Sequence, residues 1–138
     1  MPDANEAVVR RFVNEVLNEG DYSAMRELVH RDYVYRNPDQ ELHGPEALEN
    51  LLTAYRTGLP DMHTSVDDLV VSGDKVVISV TLTGTHKGDL MGIPATGSQV
   101  TVRGMVLSRL EDARIIEEWE MLDMLGMLQQ IGVVSLPA

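Results

Sequence analysis

The hydrophobic positions follow mostly helical spacing before His63 and mostly strand alternation after it. From Asp3 onward, Val9, Phe12, Val13, Val16 and Leu17 recur at the three-to-four-residue spacing of an amphipathic helix. Asp3 stands where a cap belongs, with Glu6 three residues on as a capping-box partner, and Gly20 ends the run. Asp21 can cap a short second helix that turns Met25, Leu28 and Val29 inward. "DYVYRN" (Asp32 to Asn37) alternates as a short strand and is broken at Asn37-Pro38-Asp39. Gly44-Pro45 opens a third helix, with proline where its missing N–H does no harm. Leu48, Leu51, Leu52 and Tyr55 form its stripe, and Gly58 and Pro60 stop it.

From His63 the period falls to two. His63 to Ser72 is one strand, Gly73-Asp74 turns, and Lys75 to His86 is a second strand rich in Val, Ile and Thr. A Gly/Pro-rich loop, Lys87 to Gln99, leads to a last hairpin of Val100 to Leu110 and Ile115 to Leu122. Asp123 then caps a short helical turn. The order α-α-β-α-β-β-β-β predicts an α+β fold, with three helices packed on one face of a curved antiparallel sheet. Such a pair of layers can enclose a small-molecule pocket. No linker, repeat or low-complexity stretch divides the 138 residues, so one domain over 1–138 is expected.

The final strand, "IIEEWEML", carries the chemistry. Alternation puts Glu118, Glu120 and Leu122 on one face and Glu117, Trp119 and Met121 on the other. Each face of a half-buried strand therefore holds an acid, and a buried carboxylate is costly unless paired, hydrogen-bonded or protonated. A two-residue turn at Asp112-Ala113 sets Met105 opposite Glu120 and Arg103 opposite Leu122. Arg103 then lies diagonally beside Glu120, as an ion-pair partner that would lower its pKa; a slip of one residue would send Arg103 to the other face.

Composition narrows the partners. A net charge of -11 argues against nucleic acid and against an anionic membrane surface. The absence of cysteine removes disulfides and thiolate chemistry. The N-terminal stretch has acids where a secretory leader needs a basic region, and no apolar run approaches a membrane span, so the cytoplasm is the default. The four histidines have no metal-ligand spacing, and neither a phosphate-binding glycine loop nor a G-x-S-x-G elbow occurs. No metal and no cofactor are expected; the partner expected is a small hydrophobic molecule.

Other side chains qualify by position. Tyr33, Tyr35 and Asn37 share one strand face and could orient a carbonyl or phenol. His86 ends a strand and could transfer a proton, or could simply bond the following loop. Glu118 is either a neighbour that raises the pKa of Glu120 or a solvated rim residue. Met105, Met121, Met124 and Met127 can adapt to a flat ligand or pack a core.

These stretches together resemble the SnoaL-like polyketide cyclase family, within the superfamily typified by nuclear transport factor 2. The resemblance runs through "VVRRFVNEVLNEGDYSAMRELVHRDYVYRNP", "HGPEAL", "GTHKGDLMGIPATG" and "EEWEMLDMLGMLQQIG". It implies a cone with the helices on the concave face of the sheet, and a homodimer formed through the sheet. It also implies cofactor-free acid/base chemistry on a hydrophobic carbonyl substrate, such as intramolecular aldol cyclisation or isomerisation. The family's cyclases carry a His-Trp-Asp triplet whose acid does the proton transfer. Here the triplet is Glu118-Trp119-Glu120, so Glu120 takes the acid's place, Glu118 replaces the histidine, and Trp119 joins the expected ligand contacts. The expected site is thus Glu120 and His86 as proton-transfer residues, with Tyr35, Asn37, Glu118, Arg103, Met105 and Trp119 around the ligand. A non-catalytic carrier of a hydrophobic ligand, or an assembly protein whose cone is filled by its own side chains, are the other readings of the same pattern.

Overall fold

A computed structural model describes residues 3–135 and Pro137; positions 1, 2, 136 and 138 of the expected 1–138 domain lie outside the described residues. Helix α1 (Ala4–Arg11) starts where Asp3 Oδ1 accepts from the amides of Asn5 at 2.8 Å and Glu6 at 3.3 Å. Glu6 does not close a capping box but takes Arg10 at 3.1 Å. The helix then widens into a π-helical segment, Phe12–Asn18, which brings Phe12, Val13 and Val16 together on the buried side. A sequence period near 3.6 does not separate α from π winding over seven residues. Gly20, with φ of 70°, ends the run. Helix α2 (Met25–Leu28) is a single turn, and Val29 already belongs to strand β1 (Val29–Arg36).

Strand β2 (Glu41–His43) returns against β1, and α3 (Pro45–Gly58) follows with Leu48 and Leu52 buried. Strands β3 (His63–Ser72), β4 (Lys75–Thr85), β5 (Gln99–Glu111) and β6 (Arg114–Leu122) form the expected meander. Helix α4 (Met124–Gln130) is capped by Asp123, whose Oδ1 accepts from the Gly126 amide at 2.9 Å. The curved, unclosed sheet has the order β2-β1-β6-β5-β4-β3 with the helices packed against it, an α+β fold as expected. One strand pair departs from the antiparallel pattern: β1 lies parallel to β6, Tyr35 beside Glu118 and Arg36 beside Trp119. Alternation within a strand names its buried face but neither its neighbour nor its direction.

Two apolar clusters hold the layers together. The larger joins Val9, Phe12, Val13, Val16 and Leu28 to Ile78, Val80, Val106 and Ile115. The smaller gathers Leu59, Leu82, Leu90, Val102, Met127 and Ile131 at the other end of the sheet. No helix among the described residues is long and apolar enough to cross a membrane.

The β5–β6 turn sets both Asp112 and Ala113 at positive φ, 53° and 58°. This primed geometry matches the right-handed strand twist but is unfavourable for an alanine Cβ. Ala113→Gly is expected to stabilise the protein by about 1 kcal/mol, read as a higher denaturation midpoint. An unchanged or lower midpoint would show that the turn is not strained at Ala113.

Candidate active site

A cavity of about 80 Å³ lies between the helices and the inner face of the sheet. Phe12, Val13, Leu48 and Leu52 line it from the helices, and Ile78, Val80 and Val106 from the strands. Polar groups interrupt this lining at Tyr35, Tyr55, Thr64, Ser108, Glu118 and Glu120. The predicted face of β6 therefore points inward, with both acids on one cavity wall.

What stands opposite those acids differs from expectation. The Asp112-Ala113 turn is as predicted, with Glu111 opposite Arg114, and Leu110 still faces Ile115. Arg109, however, faces Glu117, so Ile116 is an extra residue on β6, a β-bulge. Beyond it every pair shifts by one: Ser108 faces Glu118, Val106 faces Glu120, Met105 faces Met121 and Gly104 faces Leu122. Because side chains alternate, the shift takes Arg103 and Met105 to the outer face of the sheet. Arg103 is exposed there and Met105 is 55% exposed, so neither lines the cavity with Glu120.

Strand β1 supplies the hydrogen bonds instead. The Tyr35 hydroxyl donates to Glu120 Oε1 at 2.5 Å, and Tyr33 donates to Glu118 Oε1 at 2.6 Å. In the strand pairing Tyr35 stands beside Glu118, so its ring reaches forward along the strand to the next inward acid. Asn37 Nδ2 donates to the Tyr35 hydroxyl at 3.3 Å, and Asn37 Oδ1 holds the Asp39 and Gln40 amides, each at 2.9 Å. Asn37 thus backs Tyr35. Ser108 Oγ lies 3.4 Å from Glu118 Oε2.

Burial dominates the electrostatics. Loss of water raises Glu118 to about 7; the charge of Glu120 adds to this, while the hydrogen bonds from Tyr33 and Ser108 oppose it. Burial also raises Glu120, against the pull of the Tyr35 hydrogen bond. Glu118 is 7% exposed and is no solvated rim acid. Glu120 keeps partial exposure. Tyr33 and Tyr35 are pushed up by burial and then by these acids, so both remain hydrogen-bond donors. Tyr55 rises to about 12, through burial and then Glu120.

The remaining candidates lie elsewhere. His86 is fully buried, but its ring is taken up by the following loop. Nε2 reaches the Ile93 carbonyl at 3.2 Å, and Nδ1 accepts from the Thr96 amide at 3.3 Å. A backbone N–H can only donate, so Nδ1 is the unprotonated nitrogen and Nε2–H the donor. Trp119 lies on the outer face, with the Arg36 guanidinium 5.2 Å from its ring centre. Arg36 Nη1 also holds Glu117 Oε2 at 2.7 Å, and Arg109 grips the other Glu117 oxygen. These two cations, Arg109 above all, lower Glu117 below the usual carboxylate range. The acid on each face of β6 is therefore satisfied differently: by arginines outside and by tyrosines inside. Tyr33, which shares the strand face of Tyr35 and Asn37 by its i, i+2 spacing, is outside the expected ligand contacts yet bonds Glu118 directly. Ser108 carried no signal until the bulge fixed its partner.

The curved, unclosed sheet backed by helices places the chain in the nuclear transport factor 2-like fold class. Within it, the chain belongs to the SnoaL-like polyketide cyclase family, whose pattern matches residues 7–131. It is 31% identical over 131 residues to the aklanonic acid methyl ester cyclase DnrD of Streptomyces peucetius, covering 91% of this chain and 88% of that protein. Among solved structures, a SnoaL-like protein from Jannaschia sp. CCS1 superposes with a TM-score of 0.89 at 26% identity, covering 96% of this chain and 94% of the other. TsrD from Streptomyces laurentii gives a TM-score of 0.86 at 29% identity, covering 97% and 100%.

Proposed function

We propose that the protein is a cofactor-free acid–base enzyme that closes a ring in a polyketide-like substrate by intramolecular aldol addition. The observation that carries this reading is the Glu120 carboxyl, set in an apolar cavity and held at 2.5 Å by Tyr35. Aldol closure needs a base for a C–H next to a carbonyl. A carboxylate raised by burial is a stronger base than one in water and lies closer in pKa to such a C–H. Tyr35, backed by Asn37, fixes which Glu120 oxygen is engaged and leaves the other for substrate. The apolar walls suit a flat hydrophobic ligand. Aklanonic acid methyl ester, on which DnrD acts, is the first substrate to test. Ring closure by the wild type supports the reading. Binding of the ester without turnover overturns it in favour of a carrier.

The outer face of the sheet supports a homodimer. Val70, Val77, Leu107 and Trp119 pair in one row across four strands, ending at Arg36. The next row sets Ser79 beside Met105 and Met121, and Val70 and Met121 are 61% and 63% exposed. Apolar side chains this exposed on a sheet face suit a partner surface. Met121→Glu, which adds two like charges across a symmetric interface, is expected to turn a dimer into a monomer at micromolar concentration in sedimentation. A wild type already monomeric there would overturn the dimer.

A further inference from the structure

Glu118 is a second carboxyl on the same cavity wall, and ring closure by Glu120 alone leaves it unused. Its surroundings are built rather than incidental. It is buried, Tyr33 donates to one oxygen at 2.6 Å, and the other oxygen has only the long 3.4 Å contact to Ser108. No lysine or arginine among the described residues forms an ion pair with it. A carboxyl so placed is held most cheaply as the neutral acid, with its proton on the less engaged oxygen, Oε2. Glu118 and Glu120 stand two residues apart on one strand face, so their backbone positions are separated by roughly 6.6 Å. Their carboxyls can therefore address two different atoms of one substrate.

We propose that Glu118 is a second catalytic residue of this cavity, the acid that protonates the carbonyl oxygen while Glu120 takes the proton from carbon. The proposal rests on the acid–base reading of Glu120. In the step, Glu120 accepts the C–H proton, and the freed electron pair forms the new C–C bond to the carbonyl carbon. The C=O π pair moves to oxygen, and that oxygen takes the proton of Glu118. Substrate and product are isomers. Glu120 ends protonated and Glu118 ionised, and one proton passed from Glu120 to Glu118 by way of water resets the pair. The raised titration of Glu118, with the charge of Glu120 among its causes, agrees with this division of roles.

The test follows kcat and KM against pH for the wild type, Glu118→Gln, Tyr33→Phe and Glu120→Gln with aklanonic acid methyl ester. Alongside it, ¹³C NMR of carboxyl-labelled glutamates follows Glu118 directly, assigned by the resonance missing from Glu118→Gln. The expected wild-type profile is a bell, falling on the acid side as Glu120 protonates and on the basic side as Glu118 ionises. Glu118→Gln is expected to lose about 100-fold in kcat with KM little changed, and to lose the basic limb. Tyr33 stabilises the ionised form of Glu118, so Tyr33→Phe is expected to move that limb to higher pH, a shift that a merely structural role would not produce. If the wild type turns over and Glu118→Gln keeps its profile, this proposal fails and the role of Glu120 stands. If the wild type turns over none of a panel of polyketide esters, the enzymatic reading fails and carries this proposal with it. A Glu118 resonance already ionised at about pH 5.5 overturns the proposal whatever the substrate result.

Discussion

Glu120→Gln is expected to lower turnover by about 10²- to 10⁴-fold while leaving the fold intact, because the amide keeps the shape of the side chain but cannot accept a proton from carbon. Its Oε1 can still accept the hydrogen bond from Tyr35, and the apolar lining is untouched. The variant also no longer buries an ionisable group, so its thermal midpoint should equal or exceed that of the wild type at neutral pH. The loss should appear in kcat more than in KM, because the base acts on a proton in flight and adds little to ground-state binding. Initial rates with aklanonic acid methyl ester, taken together with thermal melts, separate the possibilities. Full activity in the glutamine variant would remove Glu120 from the mechanism. Loss of activity together with loss of the cooperative melt would make its role structural.

The second large effect is on stability against pH. Glu118 titrates near 7 when folded, against an ordinary value of 4.5, so the native state holds this proton where the unfolded chain has released it. The contribution is full below about pH 4.5 and is lost as the pH rises toward 7, by roughly 3 kcal/mol. Glu120, also raised, works in the same direction. The lowered acids work in the opposite one. Glu117, held by Arg109 and Arg36, Asp61, held by the Thr85 amide and hydroxyl, and Asp21, held by Ser23, contribute above their ordinary values and lose that contribution as the pH falls through their folded ones. Stability should therefore peak at about pH 4 to 5 and decline toward neutrality, in contrast to the usual acidic protein. Glu118→Gln should flatten the decline and be the more stable protein at about pH 8. Denaturant midpoints measured across this range decide the matter. A wild type that gains stability from pH 5 to 8, or a variant with the same slope, would show that the native fold does not raise the Glu118 carboxyl above its ordinary value.

Much of the layout was legible in the chain. The helical stripe from Val9 to Leu17, the caps at Asp3 and Asp123, the Pro45 start and the hairpin turn at Asp112-Ala113 all follow from local rules, and the structure has each of them. So does the inward face of β6, because alternation over "EWEML" depends on nothing outside the strand. The neighbours of that face were not legible. A single bulged residue, Ile116, reverses which face of β5 meets the acids, and so exchanges Arg103 and Met105 for Val106 and Ser108. Nothing in "RIIEEW" marks the bulge, since both isoleucines suit a strand.

The elements, their caps and turns, and the placing of two carboxylates on one side of a half-buried strand follow from the chain alone, because they depend on contacts a few residues apart. How those carboxylates are satisfied depends on residues brought together by the fold. Tyr33 and Tyr35 reach them from a strand 85 positions away in sequence, through a parallel pairing that leaves no local trace. That pairing, with the bulge, sets hydroxyls rather than a guanidinium beside Glu118 and Glu120. A guanidinium would have held them ionised, whereas hydroxyls in an apolar cavity leave burial to raise both.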